Sequence, residues 1–182
     1  MRAIVLMGKP CSGKSTIGRV LRDLYSYGYI STGDIARRLA KEGVIGNEWQ
    51  KAGDLAPEDA IREELKNEIR YAKASGADTI VIDGMPRHKD QVLFIETLFS
   101  EVFYYFISVP NYAIMERMVK RGREDDALKV AYRRLKNYRK YQKEVNEEIR
   151  RRQGTISKMD GQKFSAIQIA TMIESKIEGE ER

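Results

Sequence analysis

A three-layer α/β fold around a five-stranded parallel sheet is the class the sequence predicts, and three of its features carry that expectation. Short apolar runs alternate with stretches of helical periodicity along the whole chain, the pattern of strands joined by helical crossovers. The first and third strand candidates are near-continuous hydrophobic runs, as strands covered on both faces should be. A glycine-bearing loop joins the first run to the first helical pattern.

The first strand spans Arg2–Met7, where Ala3-Ile4-Val5-Leu6-Met7 is unbroken by any polar residue. Helix 15–25 follows, with Ile17, Val20, Leu21 and Leu24 at helical spacing. A second strand is expected over Tyr27–Ser31 and further helices over Asp34–Lys41 and Pro57–Ala74. Pro57 suits the first helical turn, where its missing N–H is not needed, and Gly76 suits a helix end. A crossover needs about a dozen residues, so the longer segment from Ala36 to Ala74, read as wholly helical, is expected to carry a function. Its natural role is a helical arm over residues 33–75 that closes on a second substrate. Thr79–Asp83 is the third strand, and its β-branched Thr79-Ile80-Val81-Ile82 predicts the centre of the sheet. Helix Asp90–Phe99, strand Val102–Val109, helices Tyr112–Arg121 and Asp126–Arg152, strand Thr155–Met159 and helix Ala166–Ile177 complete one domain, residues 1–182. Glu178–Arg182 reads as a frayed tail.

The chain has 182 residues, 42% hydrophobic and 33% charged, a globular composition with room for a sizeable core. No apolar run reaches membrane-spanning length, and Arg2 leads directly into a strand, so no leader is expected and the cytoplasm is the default location. A single cysteine excludes a disulfide framework and a cysteine-based zinc site. The net charge of +6 fits either nucleic-acid binding or a phosphorylated small ligand, and clustering of arginines in short motifs favours the ligand. In the basic stretch Arg133–Arg152, Tyr132, Tyr138 and Tyr141 intersperse the cations, as in nucleic-acid contacts. Glu144, Glu147 and Glu148 interrupt that track. Leu135, Tyr138, Gln142, Val145 and Ile149 instead predict a core-packed helix with a solvated outer face.

Gly8-Lys9-Pro10-Cys11-Ser12-Gly13-Lys14-Ser15 fits G-x-x-x-x-G-K-[ST] between a strand and a helix, the context a phosphate-binding loop requires. Its N–H groups and the helix N-terminus would cradle a triphosphate, with Gly8, Cys11, Ser12, Gly13 and Thr16 in the cradle. Lys14 would reach the β- and γ-phosphates, and Ser15 would help hold Mg²⁺. Asp83 ends a strand where a magnesium-orienting carboxylate belongs. Gly84 and Pro86 then turn the chain and project Arg87 into the cleft. Cys11 most simply fills space in the loop, and His88 faces solvent at a helix start. Lys9 points outward, and Trp49 packs within the arm.

Asp83-Gly84-Met85-Pro86-Arg87 through Gln91 resembles D-G-[FYM]-P-R-x-x-x-Q of the adenylate kinase type of nucleoside monophosphate kinase. Four further segments resemble that family in its own order: Ile30–Arg37, Ala52–Glu58, Arg123–Tyr138 and Met159–Lys163. The resemblance runs from Met7 to about Lys163 and implies the P-loop nucleotide kinase fold. It further implies transfer of the γ-phosphoryl group of magnesium ATP to AMP; a monomer is the default expectation. Arg37 and Arg87 would then clamp the acceptor phosphate. Lys14, Arg121, Arg123 and Arg134 would surround the phosphoryl group in flight, and Asp125 and Asp126 would hinge a lid. Arg121, Gly161 and Gln162 would complete the ATP site. Gly33, Leu55, Ala56 and Gly84 would shape the AMP pocket, with Thr32 and Gln91 reading the adenine edge. No zinc is implied, and no general base is needed. Only Gly122, Arg123 and Glu124 separate Arg121 from Asp125-Asp126. This minimal lid, residues 121–126, is expected to shield the phosphates poorly and raise ATP hydrolysis. The alternatives are a kinase for CMP, UMP or a deoxynucleotide, and a weakly hydrolytic module binding nucleotide or RNA.

Overall fold

Strands with no polar face must lie between two layers of helix. The computed structural model of the chain, which describes residues 1–52, 54–121 and 128–180, has that arrangement. In chain order the elements are β1 (Arg2–Met7), α1 (Lys14–Tyr25), β2 (Gly28–Ser31), α2 (Thr32–Lys41), α3 (Glu48–Ala52), α4 (Glu58–Ala74) and β3 (Thr79–Asp83). They continue with α5 (Asp90–Leu98), β4 (Glu101–Ser108), α6 (Asn111–Arg121), α7 (Leu128–Arg151), β5 (Ile156–Asp160) and α8 (Ala166–Glu180). The strands form one five-stranded sheet in the order β2-β3-β1-β4-β5, and every neighbouring pair is parallel.

Successive residues of a strand point to opposite faces, and the two halves of the core follow that alternation. Ala3, Val5, Met7, Ile80 and Ile82 pack on one side with Ile35, Leu65, Ile95 and Val145. Ile4, Leu6 and Val81 pack on the other with Ile17, Leu21, Ile114 and Ile173. The strand predicted at the centre, β3, sits beside the centre, which β1 occupies. Its β-branched residues report burial from both faces, a condition that any interior strand meets.

The helices depart from expectation in three places. Leu24 is 57% exposed. The buried stripe of α1 is Lys14, Ile17, Gly18 and Leu21, and the next inward position falls on Tyr25, which packs against the core. Pro57 stands just before α4 rather than in its first turn. The segment 36–74 is not wholly helical, because residues 42–47 and 54–57 separate its three helices. Gly43, at φ +75, ends the first of them. Gly76 takes the predicted left-handed position after α4, with φ +89. The helices α2 and α4 share the sheet's core, since Ile35, Leu39, Ile61 and Leu65 are buried in it. No helix among the described residues is long and apolar enough to cross a membrane.

Ile4 is fully buried at the middle of the central strand, so Ile4→Ala should cost about 2–5 kcal/mol of stability in urea denaturation. Leu24→Ala, at an exposed site of α1, should stay within about 0.5 kcal/mol of the parent in the same experiment.

Candidate active site

Parallel pairing brings the ends of three strands to one point. Leu6 of β1 lies in register with Asp83 of β3, and Ser31 of β2 lies in register with the same Asp83. The loops that follow β1 and β3, and the start of α2 directly after β2, therefore open together on the carboxyl side of the sheet, where parallel sheets bind ligands. On the other side of β1, Ser108 pairs with Asp160, and the Gly161 N–H donates to the Ser108 carbonyl at 2.9 Å.

The loop after β1 needs glycine at its first position. Gly8 has φ +144, and a Cβ there would stand 2.6 Å from the Ile107 carbonyl oxygen. The loop passes through left-handed residues at Cys11 and Gly13, a conformation that lets successive N–H groups face one anion. No side chain caps α1, and its first turn holds no acid, so its positive end is open to a phosphate. The Lys14 Nζ donates to the carbonyls of Gly8 and Lys9, each at 2.9 Å. Burial pushes this ammonium down to about 8, outweighing the attraction of Asp83. Asp83 Oδ2 accepts from the Ser15 hydroxyl at 2.5 Å and from the Tyr29 hydroxyl at 3.2 Å.

Cys11, Ser12, Gly13, Lys14, Ser15, Thr16 and Gly161 line one cleft. Gly8 and Gln162 stand outside it: the first lends its carbonyl to Lys14, and the N–H of the second donates to Asp160 Oδ1 at 2.9 Å. Lys9 turns away from the loop, donating to the Val109 carbonyl at 2.9 Å and to Asn111 Oδ1 at 2.8 Å. Arg117 lines the same cleft and was not foreseen. Its Nη2 donates to the Gly161 carbonyl at 2.9 Å and its Nη1 to the Ser12 carbonyl at 3.4 Å, tying two loops together. Its sequence signal is its place on α6, one helical turn before Arg121.

Thr32, Gly33, Arg37, Leu55, Ala56, Gly84, Arg87 and Gln91 all line a second cleft. Gly84, at φ +101, could carry no Cβ, which would lie 2.4 Å from Thr32 Oγ1. That hydroxyl donates to the Asp83 carbonyl at 3.3 Å. The Arg87 N–H donates to Gln91 Oε1 at 2.5 Å, and Arg87 Nε donates to the Gly84 carbonyl at 2.7 Å. Burial and the nearby Arg134 push the Arg87 guanidinium below its ordinary value. Arg37 pairs with Asp34 at 2.5 Å and lines both clefts.

The face of α7 read as core is in part a wall of this second cleft. Ile149 is buried in the core, Val145 is buried there and also borders the cleft, and Arg134, Tyr138, Tyr141 and Gln142 line the cleft. The Tyr138 hydroxyl is buried with no hydrogen-bond partner among the described residues. His88 lines the cleft too, contrary to expectation, with its ring edge-on to Tyr141 at 4.4 Å between centroids. Trp49 packs against the core and also lines the cleft, anchored by its Nε1 donating to the Gly46 carbonyl at 2.8 Å. Asp54 accepts from Arg133 Nε and Nη2 at 3.1 and 2.8 Å and from Asn137 Nδ2 at 3.2 Å, so α7 is fastened to the chain between α3 and α4. The Arg121 side chain, Arg123, Asp125, Asp126 and the lid lie outside the described residues.

A parallel sheet whose first loop is shaped for phosphate, beside a cleft walled by arginines, defines a P-loop phosphotransferase. A family model described as an AAA domain matches residues 7–132. The adenylate kinase of Nocardia farcinica is 34% identical over 146 residues, covering 75% of this chain and 79% of the relative. The adenylate kinase of Corynebacterium urealyticum is 32% identical over 145 residues, with coverages of 75% and 79%. Adenylate kinase 1 of Nostoc sp. is 30% identical over 148 residues, with coverages of 76% and 79%. The chain belongs to the adenylate kinase family. It is accordingly a nucleoside monophosphate kinase.

A lysine that holds phosphate must be charged, and Lys14 of the free protein loses its charge as pH rises through about 8. If Lys14 holds the phosphates, triphosphate affinity should be flat between about pH 7 and 8, above the range where the phosphate itself titrates, and fall about tenfold per unit above that, as read by calorimetry. The Asp54–Arg133 pair is exposed but bidentate. A double-mutant cycle with Asp54→Ala and Arg133→Ala should give a coupling of about 0.5–1 kcal/mol that shrinks in high salt.

Proposed function

We propose that the protein moves the γ-phosphoryl group of magnesium ATP onto AMP, giving two ADP. The observation that carries this reading is Arg37, a single cation lining both the phosphate-loop cleft and the arginine-walled one. A donor in the first and an acceptor in the second would meet at its guanidinium. Lys14 and the N-terminus of α1 would hold the donor's phosphates. Arg37, Arg87 and Arg134 would hold the acceptor's phosphate, with Arg121 and Arg123 assigned to the same ring of cations. An acceptor phosphate oxygen attacks the γ-phosphorus, and the bond from that phosphorus to the β-bridging oxygen breaks, its electron pair leaving with ADP. The attacking oxygen is already anionic, so the side chains position and neutralise rather than move a proton.

Ser15 and Asp83 meet at 2.5 Å as hard oxygen donors beside the phosphate loop. Such a donor set fits Mg²⁺, which takes few protein oxygens and keeps its waters. These two residues would hold the ion, which when bound neutralises charge across the donor's phosphates.

Hydrogen-bond polarity at the second cleft supports an adenine acceptor. Thr32 gives its proton to the Asp83 carbonyl and so presents lone pairs. Gln91 gives its oxygen to the Arg87 N–H and so presents its NH₂ group. An acceptor beside a donor matches an amino group next to a ring nitrogen, the edge of adenine. Guanine and uracil present a carbonyl beside an N–H, the reverse order along the edge, so they would pair with these two groups only by turning over in the cleft. Cytosine offers the same edge as adenine, so CMP is the second reading.

A coupled assay over AMP, CMP, GMP and UMP tests the assignment. AMP should give the highest kcat/KM, CMP should follow, and GMP and UMP should be poorest; a preference for GMP or UMP would overturn the reading. Arg87→Ala should lower kcat/KM by about 10²–10³-fold. ADP formed without any monophosphate would measure the leak to water proposed for the short lid.

A further inference from the structure

Gly18 is buried in the interior of α1, where glycine costs about 1 kcal/mol relative to alanine. A Cβ at that position would stand 2.3 Å from Cε2 and 2.6 Å from Cδ2 of Tyr29. The ring of Tyr29, carried on β2, thus fills the space a side chain on α1 would take. Held there, its hydroxyl lies 3.2 Å from Asp83 Oδ2, the oxygen that also accepts from Ser15 at 2.5 Å. Two hydroxyls from different elements on one carboxylate oxygen pin the carboxylate in one orientation. Tyr29 lines neither cleft, and its hydroxyl faces the Asp83 and Ser15 side chains, so it reaches a ligand through them.

We propose that Tyr29 is a positioning residue, with Gly18 making its room, that fixes the Asp83 carboxylate against Ser15 in the orientation a nucleotide-bound divalent cation requires. The proposal rests on the reading of this cleft as a site for a magnesium nucleotide. A hydrogen bond one step removed from a metal sets ligand orientation, and its loss weakens metal affinity by about 10–100-fold. A tyrosine that served packing alone would work equally well without its oxygen.

The test uses the full chain and a non-hydrolysable ATP analogue, titrated by calorimetry in Mg²⁺ and again in EDTA. The ratio of the two dissociation constants reports how strongly metal and nucleotide reinforce each other. In the parent the analogue should bind more tightly with Mg²⁺. In Tyr29→Phe, which keeps the ring, the ratio should fall about tenfold, while affinity in EDTA and the melting temperature hold. Mn²⁺ titrated into the analogue complex and followed by electron paramagnetic resonance should show the same loss. Gly18→Ala, which keeps the hydroxyl but displaces the ring, should lower the ratio as well and serves if Tyr29→Phe does not fold. A parent ratio of one would overturn the magnesium reading and this proposal together. A parent ratio above one that either folded variant leaves unchanged would overturn the role of Tyr29 alone.

Discussion

The site depends on the register in which β2, β3 and β1 pair. Asp83 sits opposite Leu6 on one side and Ser31 on the other, so two loops and a helix start, distant in sequence, begin at the same level of the sheet. The side-chain period of a strand is two, and a slip of one residue in β3 would turn Asp83 to the opposite face. The hydrophobic faces guard against that slip. Ile80 and Ile82 pack in one half of the core and Val81 in the other, and a shift would exchange them. Chemistry at the rim is therefore enforced by aliphatic packing beneath it.

Above that rim the protein gathers like charges. Lys14 and Arg87 are both pushed down by burial, and Arg134 adds to the pressure on each. Such crowding is costly in a folded protein and becomes favourable when phosphate is present, the condition for electrostatic preorganisation. The helix α7 carries part of this arrangement on three faces at once. Ile149 anchors it in the core, Arg134 reaches the cleft, and Arg133 holds Asp54 across the mouth of that cleft.

The strands and most helices were legible because their signals are local: an unbroken apolar run for β1, a β-branched run for β3, a left-handed glycine after α4. Sheet order was not, since β-branching marks burial, and β3 is buried throughout while β1 is buried from Ala3 onward. The positions around the second cleft were legible as motifs, and Thr32, Arg37, Arg87 and Gln91 do line one wall together. Arg117, His88 and Tyr141 were missed because nothing in their neighbours' spacing tells which face of a helix or turn looks into a cleft. That orientation is set by how α6 and α7 lie on the sheet, a tertiary fact. Leu24 failed for the converse reason: it satisfies helical spacing but sits at the edge of the stripe that the core selects.

Lys14 spends its hydrogen bonds on the carbonyls of Gly8 and Lys9. A phosphate held there as proposed would therefore exchange partners with this ammonium more than create new interactions. The net gain is the difference between two satisfied states, which is smaller than the strength of either. A loop arranged in this way takes up its ligand without holding it indefinitely. Under the proposed function, in which a product must leave in each cycle, a lysine satisfied in this way would act as a brake on tight binding and so favour turnover.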